Sequence, residues 1–191
     1  MKHIAIFASG SGTNAENIIR HFQNSGAAKV VAVFSNKADA GILKKAEALG
    51  IPQVVFSKSD FLDNSVLEQI YQFEVDLIVL AGFLWQFPET IINAFPNKIV
   101  NIHPALLPKY GGKGMYGMNV HRAIIENREK QTGVTIHYID EHYDEGDIIF
   151  QQSVRLNGNE SCEEVAGMVQ RLEHQHYPRV IAEIINKMEQ C

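Results

Sequence analysis

The sequence predicts an α/β fold, doubly wound around a mostly parallel sheet that becomes mixed at its C-terminal end and is followed by a long C-terminal helix. Three observations carry that expectation. Short runs rich in Ile, Val and Phe recur along the first hundred residues. Longer segments between them place apolar residues at helical spacing. After residue 130 the rhythm changes to two extended runs separated by a short loop.

The five early strands are Ile4 to Phe7, Val30 to Phe34, Val54 to Phe56, Leu77 to Leu80 and Ile99 to Ile102. Each is a continuous apolar run rather than an alternating one, as expected of strands buried on both faces of a parallel sheet. Ala15, Ile18, Ile19 and Phe22 define the first helix by their spacing. Asp39 to Leu49 reads as a second, with Gly50 as its stop and Pro52 behind it. Asn64 to Phe73 reads as a third. Thr132 to Ile139 alternates, and Asp147 to Leu156 is a second extended run, so the pair predicts a hairpin. Cys162 to about Met188 reads as one helix, with a bend expected near Pro178. No repeat, linker or low-complexity segment interrupts the chain. A single Rossmann-like domain over residues 1–191 is expected, its ribonucleotide-binding half at about 1–98 and its catalytic half at about 99–191.

Composition narrows the function classes. With a net charge of −5, a pI of about 5.9 and scattered Lys and Arg, the chain offers no nucleic-acid surface. No apolar run approaches the roughly 18 residues of a membrane span. Two cysteines and no signal-peptide pattern point to a reducing cytoplasm. The eight histidines, including His137, His142, His174 and His176, show no ligand spacing coupled to a Cys or Glu cluster, so no metal is expected.

Two stretches carry chemistry. The first strand ends in Ala8-Ser9-Gly10-Ser11-Gly12-Thr13-Asn14, and a helix follows. Gly10, Gly12 and Ala15 formally satisfy the dinucleotide fingerprint. The second strand, however, runs into Ser35-Asn36-Lys37 without the acidic residue that would hold a ribose, and Asp39 stands where a helix cap belongs. No Gly-Lys-Ser/Thr follows, which excludes a P-loop. Two readings stay open: a single phosphate held by Gly12, Thr13 and Asn14, or a ligand-free turn capped by Thr13 or Asn14.

The second stretch is Ile99-Val100-Asn101-Ile102-His103-Pro104. Asn101 and His103 are two residues apart in an extended run, so they aim to one side where the strand ends. Open α/β sheets bind ligands beyond such carboxyl ends. An imidazole can move protons or meet an oxyanion, and an amide beside it can donate to a carbonyl oxygen as charge develops. The acidic loop Asp140 to Asp147 supplies candidate counter-ions for a histidine cation. Taken alone, His103 is equally a loop histidine with satisfied partners, and the acidic loop a solvated one.

Ser35 to Ala40 (SNKADA), Val79 to Phe83 (VLAGF), Asn101 to Tyr110 (NIHPALLPKY) and Tyr143 to Ile149 (YDEGDII) resemble the signature segments of the phosphoribosylglycinamide formyltransferase family. The resemblance runs from residue 2 to about 185. It implies transfer of the formyl group of 10-formyltetrahydrofolate, as cosubstrate, to the amine of 5-phosphoribosylglycinamide in purine (IMP) biosynthesis. It implies a catalytic set of Asn101, His103 and Asp144, in which Asn101 and protonated His103 hold the tetrahedral oxyanion and Asp144 supports the imidazolium. Gly12, Thr13 and Asn14 match the family's phosphate loop, while Gln170 and Glu173 match its ribose contacts. Folate is expected against Leu84, Trp85, Gln86 and Phe87, and against Asn101, Asp140, Glu141, His142, Tyr143 and Asp144. The partners so implied are these small molecules, with no nucleic acid, no membrane, no metal, and a cytoplasmic monomer or homodimer.

The chain departs from the family pattern in places. Trp85 stands where many relatives have Arg, and Lys58 is the only cation in a stretch where relatives often place another Arg. Gly111 to Met118 is longer than its usual counterpart, read either as a lid or as a tolerated surface insertion, and Asp147 stands where Pro is common. The alternatives are a sugar-nucleotide or other folate-dependent N-formyltransferase, or a non-catalytic nucleotide-binding domain. A tRNA-directed branch would be expected to bring a further domain and a basic surface, and a hydrolase branch a regulatory domain.

Overall fold

The computed structural model describes residues 1–190. Strands β1 (Lys2–Phe7), β2 (Ala28–Ser35), β3 (Gln53–Val55), β4 (Leu77–Leu80), β5 (Ile99–His103), β6 (Gln131–Tyr138) and β7 (Ile148–Arg155) form one mixed, mostly parallel sheet in the order β3-β2-β1-β4-β5-β6-β7. β1 pairs in parallel with β2 and β4, β2 pairs in parallel with β3, and β6 and β7 close the predicted antiparallel hairpin. The helices are α1 (Thr13–Ser25), α2 (Gly41–Ala48), α3 (Lys58–Leu62), α4 (Ser65–Gln72), α5 (Glu89–Ala94), α6 (Met118–Glu126) and α7 (Cys162–Glu189). The chain divides into two compact units, one formed by Met1–Val100 with the stretch from Pro178 onward and the other by Asn101–Tyr177.

In the first unit the apolar strands behave as their composition requires. Ile4, Ala5, Ile6 and Phe7 of β1 and all four residues of β4 are buried. Phe7 centres an aromatic cluster, stacked on Phe34 at 4.6 Å and edge-on to Phe87 at 5.0 Å and Phe83 at 5.5 Å. Strand order reverses at β1 and β4, the switch point where doubly wound sheets open to ligands. There the two following loops are tied together. Ser9 N–H donates to the Gly82 carbonyl at 3.1 Å, and Ser9 Oγ accepts from Leu84 N–H at 3.2 Å.

Helix starts differ from the expectation in instructive ways. α1 is capped by Gly12 in a left-handed conformation with no side-chain cap, so Thr13 and Asn14 are its first two helical residues rather than its caps. α2 starts after Ala40, not at Asp39, because Ala40 N–H first closes a turn on the Lys37 carbonyl. Two short helices, α3 and α5, carry too few residues for a periodic pattern. Of these, α3 is defined by a capping box in which Ser57 Oγ accepts from Asp60 N–H and Asp60 accepts from Ser57 N–H.

In the second unit, Gly133 of β6 packs so closely on the Gln152 carbonyl of β7 that no Cβ could be accommodated. Thr135 Oγ pins the turn after β5 to this hairpin, donating to the Ala105 carbonyl at 2.7 Å and accepting from Leu107 N–H at 3.0 Å. α7 opens on a capping box between Ser161 and Glu164 and continues through Pro178 as one helix.

Candidate active site

β5 delivers Asn101 and His103 from a buried strand, and the hairpin delivers their partners. His103 is only 3% exposed. Its Nε2 lies 2.7 Å from the Tyr110 carbonyl oxygen, which can only accept, so Nε2 carries a proton. The other ring nitrogen, Nδ1, faces Asp144 Oδ2 at 3.5 Å. Asp144 Oδ2 also accepts from Gly112 N–H at 2.9 Å. The strand pattern pairs Asn101 with His103, the resemblance adds Asp144, and the structure brings the three together.

A fourth member, His137, was legible only as one of the scattered histidines. It is fully buried on β6, where it alternates inward with Thr135. Burial holds its imidazole below the ordinary histidine value, against the opposing pull of the Tyr138 carbonyl and Asp144. The ring is therefore neutral at pH 7. Nδ1–H donates to the Tyr138 carbonyl at 2.8 Å, which leaves Nε2 to accept from Asn101 Nδ2 at 3.2 Å. Nε2 also lies 3.6 Å from Asp144 Oδ1, so the carboxylate sits between two histidines. Thr135 and His137 are polar positions in a strand buried on both faces, and that was the available signal for His137.

The loop carrying Asp144 is fixed by backbone. Asp144 adopts a positive φ of 58°, an uncommon conformation for a residue with a side chain. Two residues on, a Cβ at Gly146 would strike the Tyr138 carbonyl, and Tyr138 N–H donates to the Asp147 carbonyl at 2.9 Å. Of the other residues expected near folate in this loop, Asp140 accepts from His142 N–H at 2.8 Å, and Glu141, His142 and Tyr143 are exposed. Gln170 is exposed and Glu173 half-buried on α7, where the Glu173 charge and, above all, burial raise the Tyr177 phenol well above its ordinary value.

The remaining expected positions belong to the first unit. Gly12 has φ of 71°, and a Cβ there would collide with the Ile42 side chain, so glycine is required both by conformation and by space. Ile42 N–H donates to the Gly10 carbonyl at 3.2 Å, bracing the loop from α2. Thr13 and Asn14 are half-buried in the first turn of the 13-residue α1. After β4, Leu84 is 44% exposed, Gln86 is exposed, Trp85 is half-buried, and Phe87 lies in the aromatic cluster. Lys58 Nζ sits 4.7 Å from the Trp85 ring centre, a cation–π contact between the two places where the chain departs from the family's arginines. Among the described residues, no three His, Cys, Asp or Glu side chains are arranged to hold a metal ion, and no helix is long and apolar enough to cross a membrane.

Residues 2–181 match the formyl transferase family, and the chain belongs to that family. A phosphoribosylglycinamide formyltransferase of Haemophilus influenzae is 38% identical over 187 residues, covering 95% of this chain and 86% of its own length. The chloroplastic phosphoribosylglycinamide formyltransferase of Arabidopsis thaliana is 40% identical over 190 residues, and the match covers 96% of this chain but 65% of the plant protein. The crystal structure of phosphoribosylglycinamide formyltransferase from Bacillus halodurans superposes with a TM-score of 0.88 at 34% identity, covering 98% of this chain and 97% of that one.

Proposed function

We propose that this chain is a phosphoribosylglycinamide formyltransferase, which moves the formyl group of 10-formyltetrahydrofolate to the amine of 5-phosphoribosylglycinamide in the cytoplasmic synthesis of purines. The observation that carries the reading is the placement of Asp144 between His103 and His137, with the Asn101 amide oriented by His137. The names of the relatives supply the acceptor and the group transferred, and the resemblance supplies the folate donor.

In this reading the substrate amine attacks the formyl carbon, forming a C–N bond as the carbonyl π electrons move to oxygen. An Asn101 N–H and His103 Nδ1–H donate to that oxygen, stabilising charge that exists only in the tetrahedral state. Asp144 supplies the counter-charge for the His103 imidazolium. Collapse re-forms the carbonyl and breaks the bond to the folate N10, which takes a proton while the former amine loses one. His103 Nδ1 is the group suited to carry that proton. Gly12, Thr13 and Asn14 at the start of α1 hold the substrate phosphate through backbone N–H groups and the helix field. Gln170 and Glu173 accept the ribose hydroxyls. Leu84, Trp85, Gln86 and Phe87 of the first unit, and Asn101 with Asp140 to Asp144 (among them Glu141, His142 and Tyr143) of the second, are the proposed folate contacts.

The test is a comparison of acceptors. Purified protein with 10-formyltetrahydrofolate is expected to formylate glycinamide ribonucleotide, followed by the folate absorbance change. Transfer to an amino-sugar nucleotide instead would overturn the substrate assignment, and binding without any transfer would make the chain a nucleotide-binding domain.

A further inference from the structure

Tyr110 and Glu129, neither of which lies in the cluster of Asn101, His103 and Asp144, form a second layer behind it. Tyr110 has a φ of 58°, a left-handed conformation unfavourable for a residue with a side chain. That twist is what turns its carbonyl onto His103 Nε2 at 2.7 Å. Something must hold the twist in place, and the Tyr110 side chain is anchored in two ways. Its ring packs against the buried cluster of Ala105, Val120 and Ile124. Its hydroxyl donates to Glu129 Oε1 at 2.9 Å. Glu129 Oε1 is also met by Lys109 Nζ at 3.0 Å, from the residue immediately before Tyr110. Glu129 thus grips two consecutive residues from the far side of the loop. Two residues beyond Tyr110, Gly112 N–H holds Asp144 Oδ2.

We propose that Glu129 and Tyr110 are positioning residues that fix the tautomer and orientation of His103, through a relay from the Glu129 carboxylate to the Tyr110 hydroxyl and from the Tyr110 carbonyl to His103 Nε2. With Nε2 committed to a backbone acceptor, Nδ1 alone exchanges its proton, and it does so facing Asp144. If the Tyr110 carbonyl drifts, the neutral ring can hold its proton on Nδ1 and leave the lone pair at Nε2, so Nδ1 is no longer free to take up the amine proton. The Lys109 partner matters less, because that lysine is 70% exposed and such surface pairs contribute little. Carboxylate and tyrosine hydroxyl also reinforce one another. The Glu129 carboxyl is held below its usual range by Lys109 and Tyr110, and the Tyr110 phenol is pushed up by burial and by Glu129.

This inference rests on the assignment of His103 as the proton carrier, and the experiment separates the two. Tyr110→Phe keeps the ring packing and removes only the hydroxyl. Glu129→Gln keeps an acceptor for that hydroxyl, and Glu129→Leu removes it. Two readouts are taken on the full chain: steady-state kinetics, and nitrogen-15 NMR of the histidine rings in the free protein, with the exchange rate of the His103 Nε2 proton. For Tyr110→Phe and Glu129→Leu we expect kcat to fall about tenfold with KM nearly unchanged, and Nε2–H exchange to quicken by a similar factor. For Glu129→Gln both should return close to wild type. Wild-type exchange and kcat in Tyr110→Phe would overturn the proposal even if Glu129→Leu fails to fold. If the wild-type protein transfers no formyl group, the exchange data alone decide the relay, and the proposed activity fails separately.

Discussion

At the scale of single residues, the site is governed by which nitrogen of each histidine is committed to a backbone carbonyl. His103 gives Nε2 to Tyr110 and keeps Nδ1 for exchange; His137 gives Nδ1 to Tyr138 and uses Nε2 to turn the Asn101 amide. The two rings therefore have different duties although both face Asp144. Asn101→Ala removes an oxyanion donor and should lower kcat by about 10²- to 10³-fold with little change in KM. Asp144→Asn keeps the shape and the acceptor for Gly112 N–H but discards the counter-charge, and should reduce kcat by at least about 10²-fold. Steady-state kinetics with both substrates check each. Asn101 and His103 were legible as a pair because they share a strand face, whereas the acidic loop offered several carboxylates and only the family resemblance singled out Asp144. The Tyr110 and Tyr138 carbonyls were not legible, since a backbone acceptor is set by φ and ψ and leaves no residue-type signal.

At the scale of elements, the runs that were legible are those whose environment is uniform. Leu77 to Leu80 is buried throughout and was found with its limits intact, whereas β3 is three residues long, largely solvent-facing and shifted by one from its expected place. α3 and α5 span 5 and 6 residues, too short to announce themselves by period alone. The first loop shows how an element start can be misread. Asn and Thr favour caps, but at α1 a left-handed glycine against Ile42 decides the geometry. Gly12→Ala should therefore strain the backbone and displace Ile42, lowering the melting temperature by roughly 3–8 °C. It should also raise KM for the phosphorylated substrate more than KM for folate. Calorimetry and kinetics on the same preparation check both halves.

At the scale of the whole molecule, two buried histidines tie stability to pH. Burial is the larger cause that holds His121 and His137 below the ordinary value of 6.5, with the His103 charge adding to it at both. In the unfolded chain these rings take up protons near that value; in the native state they do so only at lower pH. The unfolded state then binds more protons, so stability is complete above about pH 6.5 and declines as pH falls below it. Glu16, Asp76 and Glu129 have lowered carboxyl values and contribute a separate loss, at pH values below their ordinary range. Urea midpoints measured from about pH 8 to pH 5 should fall first in the histidine window, and His121→Gln should flatten that slope.

The assignment of the family draws on nearly the whole chain, and the assignment of mechanism draws on one ring. The most direct measurement is formyl transfer from 10-formyltetrahydrofolate to glycinamide ribonucleotide by the wild-type protein and by His103→Ala, with folding verified by circular dichroism. Ready transfer by the wild type and a loss of at least about 10²-fold in His103→Ala is the predicted result. Wild-type turnover by the folded His103→Ala protein would contradict the account.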